Sequence, residues 1–219
     1  MPDSSIVAVL NTLLIFDLDG VLFNSSKLVS EYTSQRYPTL TQAEALEMLS
    51  GNFHVALENL KLKHKHVEET PEERELLWNA FSLKKSQSPL FPGIFDLLQS
   101  LHKAGNILSI NTSALDRNCL PLLEKSNIKD LFDNIATKEM SKSKVEKFKI
   151  LEEKYKLPKE DILFITDTLG DLREADEAGI PTIAVTYGAH DRSYFTREEH
   201  KNLIAIVDTV EELKKLLFK

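Results

Sequence analysis

The sequence predicts an α/β protein, a doubly wound parallel sheet with an α-helical insertion, on three observations. Six short apolar runs recur along the chain, most of them separated by segments of helical periodicity. One long stretch, about residues 25 to 90, has no such run. That stretch also holds nine glutamates but none of the thirteen aspartates, and Gly51 is its only glycine. Two-sided apolar runs suit buried parallel strands, and strands alternating with helices suit a sheet wound on both faces. Glutamate favours helix interiors, whereas aspartate favours caps and turns, so the exceptional stretch reads as helices punctuated at Pro38, Gly51 and Pro71. A chain of 219 residues holds roughly one and a half domains of about 150 residues. That suits one core, residues 1–24 and 90–219, carrying an inserted helical unit over 25–89.

The strands fall at Leu13 to Phe16, Ile107 to Ile110, Ile135 to Ala136, Ile162 to Ile165, Thr182 to Val185 and Leu203 to Val207. Between them, Ile94, Leu97, Leu98 and Leu101 recur at helical spacing and stop at Gly105, a natural residue just past a helix end. Phe148, Leu151 and Tyr155 do the same before Pro158, and Leu172, Ala175 and Ala178 run to Gly179. The insertion begins just after the first strand, so it is placed over the carboxyl edge of the sheet, where such sheets bind ligands. Within it, the basic run Lys61 to His66 reads as a solvated helix face.

With 27 basic and 34 acidic residues the formal charge is −7, which argues against nucleic acid or an anionic membrane as partner. The single cysteine, Cys119, excludes an intrachain disulfide and a cysteine-based zinc site. The apolar Ile6 to Leu10 stretch has no basic side chain until Lys27, so it lacks the charged region of a signal peptide. A cytoplasmic protein is the expectation.

Chemistry gathers at strand ends. The first strand closes in Phe16-Asp17-Leu18-Asp19-Gly20-Val21-Leu22. Carboxylates at i and i+2 share one side of an extended chain, and the glycine lets the backbone turn away. That suits a nucleophile beside an acid/base group, although Asp-Gly is equally a common turn. After the second strand, Asn111, Thr112 and Ser113 offer donors for phosphate oxygens or for capping a helix. Lys142, ahead of a helix that starts near Ser143, supplies a point charge for a phosphoryl group; an ordinary surface lysine in the company of Lys138, Lys144 and Lys147 is the other reading. Asp167 and Asp171, after the fourth strand, make a hard oxygen site suited to Mg²⁺ or complement the next helix N-terminus. Each group has a bland explanation, but the ordered set of four is harder to attribute to capping.

Assembled in this order, the residues resemble the haloacid dehalogenase superfamily of hydrolases over roughly residues 12–24 and 90–216. The resemblance implies Asp17 as nucleophile, Asp19 as general acid/base, and Thr112 and Lys142 as the hydroxyl and lysine of the second and third motifs. It further implies Mg²⁺ held by an acidic set of Asp17, Asp19, Asp167 and Asp171, with phosphate oxygens met by the Leu18 backbone, Thr112, Ser113 and Lys142. Lys144 competes with Lys142, and counting back from Asp167 through Leu157 and Phe148 without a gap favours Lys142. Leu90-Phe91-Pro92-Gly93 and Asp167 to Gly179 are similar to the phosphoglycolate phosphatase-like branch, with Asn24 and Thr166 standing where that branch often has aspartate and glycine. Gly51-Asn52-Phe53-His54 resembles the cap specificity loop, which makes Asn52 and His54 specificity candidates; an ordinary exposed histidine is the alternative for His54.

The implied function is Mg²⁺-dependent hydrolysis of a small phosphate monoester through an aspartyl phosphate, by a monomer or weak homodimer acting on a phosphorylated metabolite. A sugar-phosphate mutase of the same superfamily uses the same acids. A non-catalytic phospho-binding or signalling module is the reading from another class.

Overall fold

The computed structural model describes residues 11–218, so the apolar Ile6 to Leu10 stretch lies outside the described residues. Six strands, β1 (Leu13–Phe16), β2 (Ile107–Asn111), β3 (Asn134–Ala136), β4 (Ile162–Thr166), β5 (Thr182–Val185) and β6 (Leu203–Val207), form one sheet in the order β3-β2-β1-β4-β5-β6. Every neighbouring pair is parallel. The doubly wound expectation holds, and the predicted strands differ from the observed ones by one residue at most.

β1 lies between β2 and β4, with Leu13 opposite both Ile107 and Ile162. Its side chains alternate between two cores, which is why the run is apolar throughout. Leu14 and Phe16 pack in a cluster with Leu97, Leu101, Leu122 and Leu213 on one face. Leu13 and Ile15 pack with Phe148, Leu151 and Ala175 on the other. Full burial of each is worth roughly 1.5–3 kcal/mol relative to exposure, so a polar residue anywhere in β1 would be costly.

After β1 come α1 (Ser26–Arg36), α2 (Gln42–Glu47), α3 (Phe53–Lys63) and α4 (Pro71–Lys85), with no strand among them. Their starts are written in the sequence. Thr41 with Glu44, and Thr70 with Glu73, form reciprocal capping boxes, and Pro71 occupies the first turn of α4. Asn52 caps α3 by accepting the amides of His54 and Val55. These helices have a small core of their own, Tyr37, Leu40, Ala45 and Leu60. Within the basic run, Lys61, Lys63 and Lys65 are exposed, as expected of a solvated face. The chain leaves and re-enters the sheet region side by side: the Asn24 amide donates to the Pro89 carbonyl and the Phe91 amide to that of Leu22.

The remaining helices are α5 (Ile94–Lys103), α6 (Asp116–Lys125), α7 (Lys144–Tyr155), α8 (Leu169–Ala178), α9 (Arg192–Phe195) and α10 (Val210–Leu217). Gly105 and Gly179, the predicted stops of α5 and α8, sit at φ of 83° and 72°, a region that favours glycine.

Candidate active site

The strand-end groups Asp17, Asp19, Thr112, Ser113, Asp167 and Asp171 meet at the carboxyl edge of the sheet, beneath the inserted helices. Asp17 ends β1, its amide donating to the Ile165 carbonyl of β4 at 2.9 Å. It is buried, and Lys144 Nζ donates to its Oδ1 at 2.7 Å. The same Nζ donates to Asp171 Oδ2 at 2.6 Å, and the Thr166 hydroxyl donates to that oxygen at 2.9 Å. Burial raises the Asp17 pKa, Lys144 pulls it back, and Asp171 and Asp19 raise it again, leaving it at about 6. Burial opposes the Lys144 charge, but Asp17 and Asp171 outweigh it and hold the ammonium well above its usual range.

The lysine inferred from register stands elsewhere. Lys142 is exposed, and only its carbonyl engages the site region, accepting the Asn52 side-chain amide at 3.2 Å. Ser143 is the N-cap of α7, which makes Lys144 the first helical residue and turns its side chain into the sheet mouth. Lys147, one turn on, is also fully buried and donates to the Thr112 carbonyl at 2.6 Å. Burial, aided by Lys144, pushes the Lys147 pKa down to about 8. Neither Lys144 nor Lys147 is a surface residue.

Asp167 is completely buried beside Asp17. Its Oδ2 accepts the Ala189 amide at 2.7 Å and the Ser26 hydroxyl at 3.3 Å. A Cβ placed on Gly20 or Gly188 would come within 1.7 or 2.3 Å of that oxygen, so the carboxylate is boxed in by backbone. Its Oδ1 has no hydrogen-bond partner among the described residues. Burial and the nearby Asp17 raise its pKa well above the carboxylate range. Two adjacent buried carboxylates, one with an orphaned oxygen, are a donor set that a hard cation would relieve. Mg²⁺ favours few carboxylates, completed by water and phosphate oxygens, so Asp17 and Asp167 fit it.

The other two members of the expected acidic set are committed elsewhere. Asp171 gives Oδ2 to Lys144 and Thr166, and Asp19 accepts Lys85 Nζ on Oδ2 at 2.6 Å and the Ser25 hydroxyl on Oδ1. Among the described residues no group of three or more acidic, histidine or cysteine side chains is arranged to hold a metal. Of the expected acidic set, Asp17 and Asp167 are the two that stand together as buried carboxylates.

Thr112 and Ser113 line the cavity above Asp17. The Thr112 hydroxyl accepts the Ala114 amide at 3.1 Å. The Leu18 carbonyl accepts the Leu22 and Phe23 amides, closing the turn that follows the nucleophile candidate. Asn52 is not among the cavity-lining residues. Besides capping α3 it donates to Glu174 Oε1 at 3.0 Å, and that oxygen also accepts the Lys144 amide at 2.9 Å. Asn52 thus latches the inserted helices to α7 and α8. His54 does line the cavity, half-buried; burial and the lysines at 138, 142 and 147 push its pKa down to about 4, which favours the neutral ring.

The cavity has a volume of about 560 Å³ and runs from Asp17, Asp19 and Asp167 up between α1 and α4. It is roofed because the inserted helices are closed on the sheet. His190 Nε2 meets the Leu46 carbonyl at 3.0 Å, Arg197 pairs with Glu47 at 2.8 Å, and Arg173 donates to the Ser50 carbonyl. Gly170 lies against Gly51 so closely that a Cβ would come within 2.3 Å of the Gly51 carbonyl oxygen.

Residues 14–185 match the family model described as "Haloacid dehalogenase-like hydrolase". Among relatives, the phosphoglycolate phosphatase of Pseudomonas fluorescens is 24% identical over 218 residues, spanning 94% of this chain and 78% of its own length. That of Vibrio cholerae is 25% identical over 191 residues, spanning 80% and 84%. Among solved structures, CbbY from Rhodobacter sphaeroides in complex with phosphate superposes with a TM-score of 0.73 at 21% identity, over 93% of this chain and 96% of that one. With the match covering most of the sequence and the sheet order and strand-end groups in place, this chain belongs to the haloacid dehalogenase-like hydrolase family.

Proposed function

We propose that this protein is a Mg²⁺-dependent phosphatase that hydrolyses a small phosphate monoester through an aspartyl phosphate on Asp17. The observation that carries the reading is the Asp17 carboxylate at the floor of a roofed cavity, gripped by a buried lysine and flanked by a second buried carboxylate. The relatives named phosphoglycolate phosphatase support the same reaction class. Residues 25–89 act as a cap over the core formed by 1–24 and 90–219.

In the first step an Asp17 oxygen attacks phosphorus in line, the phosphorus–oxygen bond to the leaving group breaks, and protonated Asp19 gives its proton to the departing oxygen. In the second, Asp19 takes a proton from water, the water oxygen attacks phosphorus, and the bond to Asp17 breaks to release inorganic phosphate and the free carboxylate. Lys144, the Thr112 and Ser113 region and the backbone after Asp17 stabilise the phosphoryl oxygens, as electrostatic positioning carries most of the acceleration in such transfers. Lys147 holds the Thr112 carbonyl and so fixes that loop. Bound at Asp17 and Asp167, Mg²⁺ would neutralise the nucleophile's repulsion for a phosphate dianion.

The test is phosphate release from alkyl phosphates by the wild type and by Asp17→Asn, with Mg²⁺ and with chelator. Turnover should require Mg²⁺, and Asp17→Asn should fall to background without forming a hydroxylamine-sensitive phosphoprotein. Full turnover in chelator, or by Asp17→Asn, refutes the reading.

A further inference from the structure

The cavity over Asp17 extends well beyond the reacting carboxylate. At about 560 Å³ it falls within the range of pockets that enclose drug-sized ligands, roughly 300–1,000 Å³. Its wall away from Asp17 is aromatic. Tyr32 of α1 meets Trp78 of α4 edge-on with ring centroids 5.7 Å apart, Tyr32 lies 4.6 Å from Phe81, and Trp78 lies 5.5 Å from Phe81. All three rings line the cavity and all three are half-buried, so they are not a sealed helix–helix core.

The arginines near this wall are already engaged. Arg36 gives Nε and a terminal nitrogen to Glu69 at 3.3 and 3.2 Å, and Arg74 faces the same carboxylate at 3.7 Å. Arg117 reaches over the Trp78 ring, with its guanidinium carbon 4.5 Å from the centroid. A guanidinium on a ring face favours planar, polarisable neighbours.

Resting on the phosphatase reading above, we propose that the leaving group of the natural phosphate monoester carries a planar aromatic or heteroaromatic ring, which packs against Tyr32, Trp78 and Phe81 while its phosphate lies at Asp17. Stacking a ring on aromatic side chains is worth about 1–3 kcal/mol by substitution, a factor of about 5 to 150 at 1.36 kcal/mol per tenfold.

The probes are 2-phenylethyl phosphate, n-propyl phosphate and phosphoglycolate, assayed by phosphate release with Mg²⁺. The ring-bearing ester should exceed both others in kcat/KM by a factor in that range. In Trp78→Leu and Tyr32→Leu the ratio of phenylethyl to propyl ester should fall toward one; rings that only hold α1 against α4 would lower both esters together and keep the ratio. A second readout needs no turnover. Trp78 is the single tryptophan of the chain, so its fluorescence in Asp17→Asn should respond to titration with the phenylethyl ester and not with the propyl ester. Phosphoglycolate or propyl phosphate hydrolysed as well as the ring ester overturns the ring assignment and leaves the phosphatase reading standing. A fluorescence response with no hydrolysis of any ester does the reverse, and silence in both overturns the two together.

Discussion

Replacing Lys144 by Met removes a buried charge that two carboxylates share and keeps the length of the side chain. In the wild type, Nζ stands 2.7 Å from Asp17 and 2.6 Å from Asp171, with side-chain exposures of 2%, 10% and 14% for the three groups. Removing one member of a buried ion pair typically costs about 3–5 kcal/mol. The protein has an escape, because a stranded carboxyl can take up a proton. Neutralising a group of ordinary pKa 3.8 costs about 4 kcal/mol at pH 7 and about 1.6 kcal/mol at pH 5, at 1.36 kcal/mol per pH unit. Protonation therefore caps the loss, and the cap falls with pH.

The sign follows from linkage. A carboxyl whose folded pKa is raised binds its proton more tightly when folded, so its contribution to stability is present at low pH and lost as pH rises. Lys144→Met raises Asp17 beyond its present value of about 6, so the deficit relative to wild type should be greater at pH 7 than at pH 5 by up to about 1.4 kcal/mol, one tenfold, because below pH 6 Asp17 is largely protonated in the wild type as well. Urea unfolding in chelator at the two pH values measures it. Lys142→Met, at an exposed position, should stay within about 0.5 kcal/mol throughout. In the phosphatase assay Lys144→Met should lose about 10²- to 10³-fold in kcat, the range for removing one preorganised donor to a developing oxyanion. Equal effects of the two substitutions, or a Lys144→Met deficit that does not change with pH, would refute the reasoning.

Two further perturbations address how the inserted helices act on the site. Lys85→Met frees one oxygen of Asp19 from its 2.6 Å partner, so kcat should fall by up to about 10²-fold through loss of aim, and Lys85→Arg should restore part of it; unchanged kcat in Lys85→Met would show that Asp19 is positioned without the cap. Gly170→Ala places a methyl group 2.3 Å from the Gly51 carbonyl oxygen, an overpacking worth about 1–3 kcal/mol, so the cap should open, with KM rising several-fold and residues 25–89 becoming more sensitive to protease. Wild-type KM and protease resistance would mean that the loop accommodates the methyl group.

The parts of the molecule legible in the sequence are those where periodicity and chemistry coincide. A buried parallel strand must be apolar on both faces, so β1 and β4 announce themselves, and the groups that follow each strand must lie at the sheet edge. The buried place of Lys144 is not legible by register, because counting back from Asp167 fixes a residue only if the loop ahead of α7 has a set length. A better signal was present: Lys144, Lys147, Phe148 and Leu151 fall at i, i+3, i+4 and i+7, so both lysines sit on the stripe that Phe148 and Leu151 bury. Lys85 follows Trp78 and Phe81 on one face of α4 in the same way. Lysines on an apolar stripe read as snorkelling surface residues until their partners are known, and those partners, Asp17, Asp19 and Thr112, are distant in sequence. Asn52 shows the opposite limit. Its place in a motif suggested substrate contact, whereas its amide is consumed by the Lys142 carbonyl and Glu174.

The central position of β1 also governs how this chain emerges from the ribosome. Leu13 waits for Ile107 on one side and Ile162 on the other, which at about 5–20 residues per second means roughly 5–20 s and 7–30 s of synthesis before either edge can be satisfied. Throughout that interval Leu-Leu-Ile-Phe is a β-prone apolar segment with both edges open, the kind of segment that pairs with other chains. The helices of 25–89 need only local contacts and can form while β1 is still alone. They shorten the loop that must close without supplying a partner strand. The nascent chain is thus most exposed to aggregation in the window between the first strand and the second, before Lys144 and Lys147 of the site it will serve have been made.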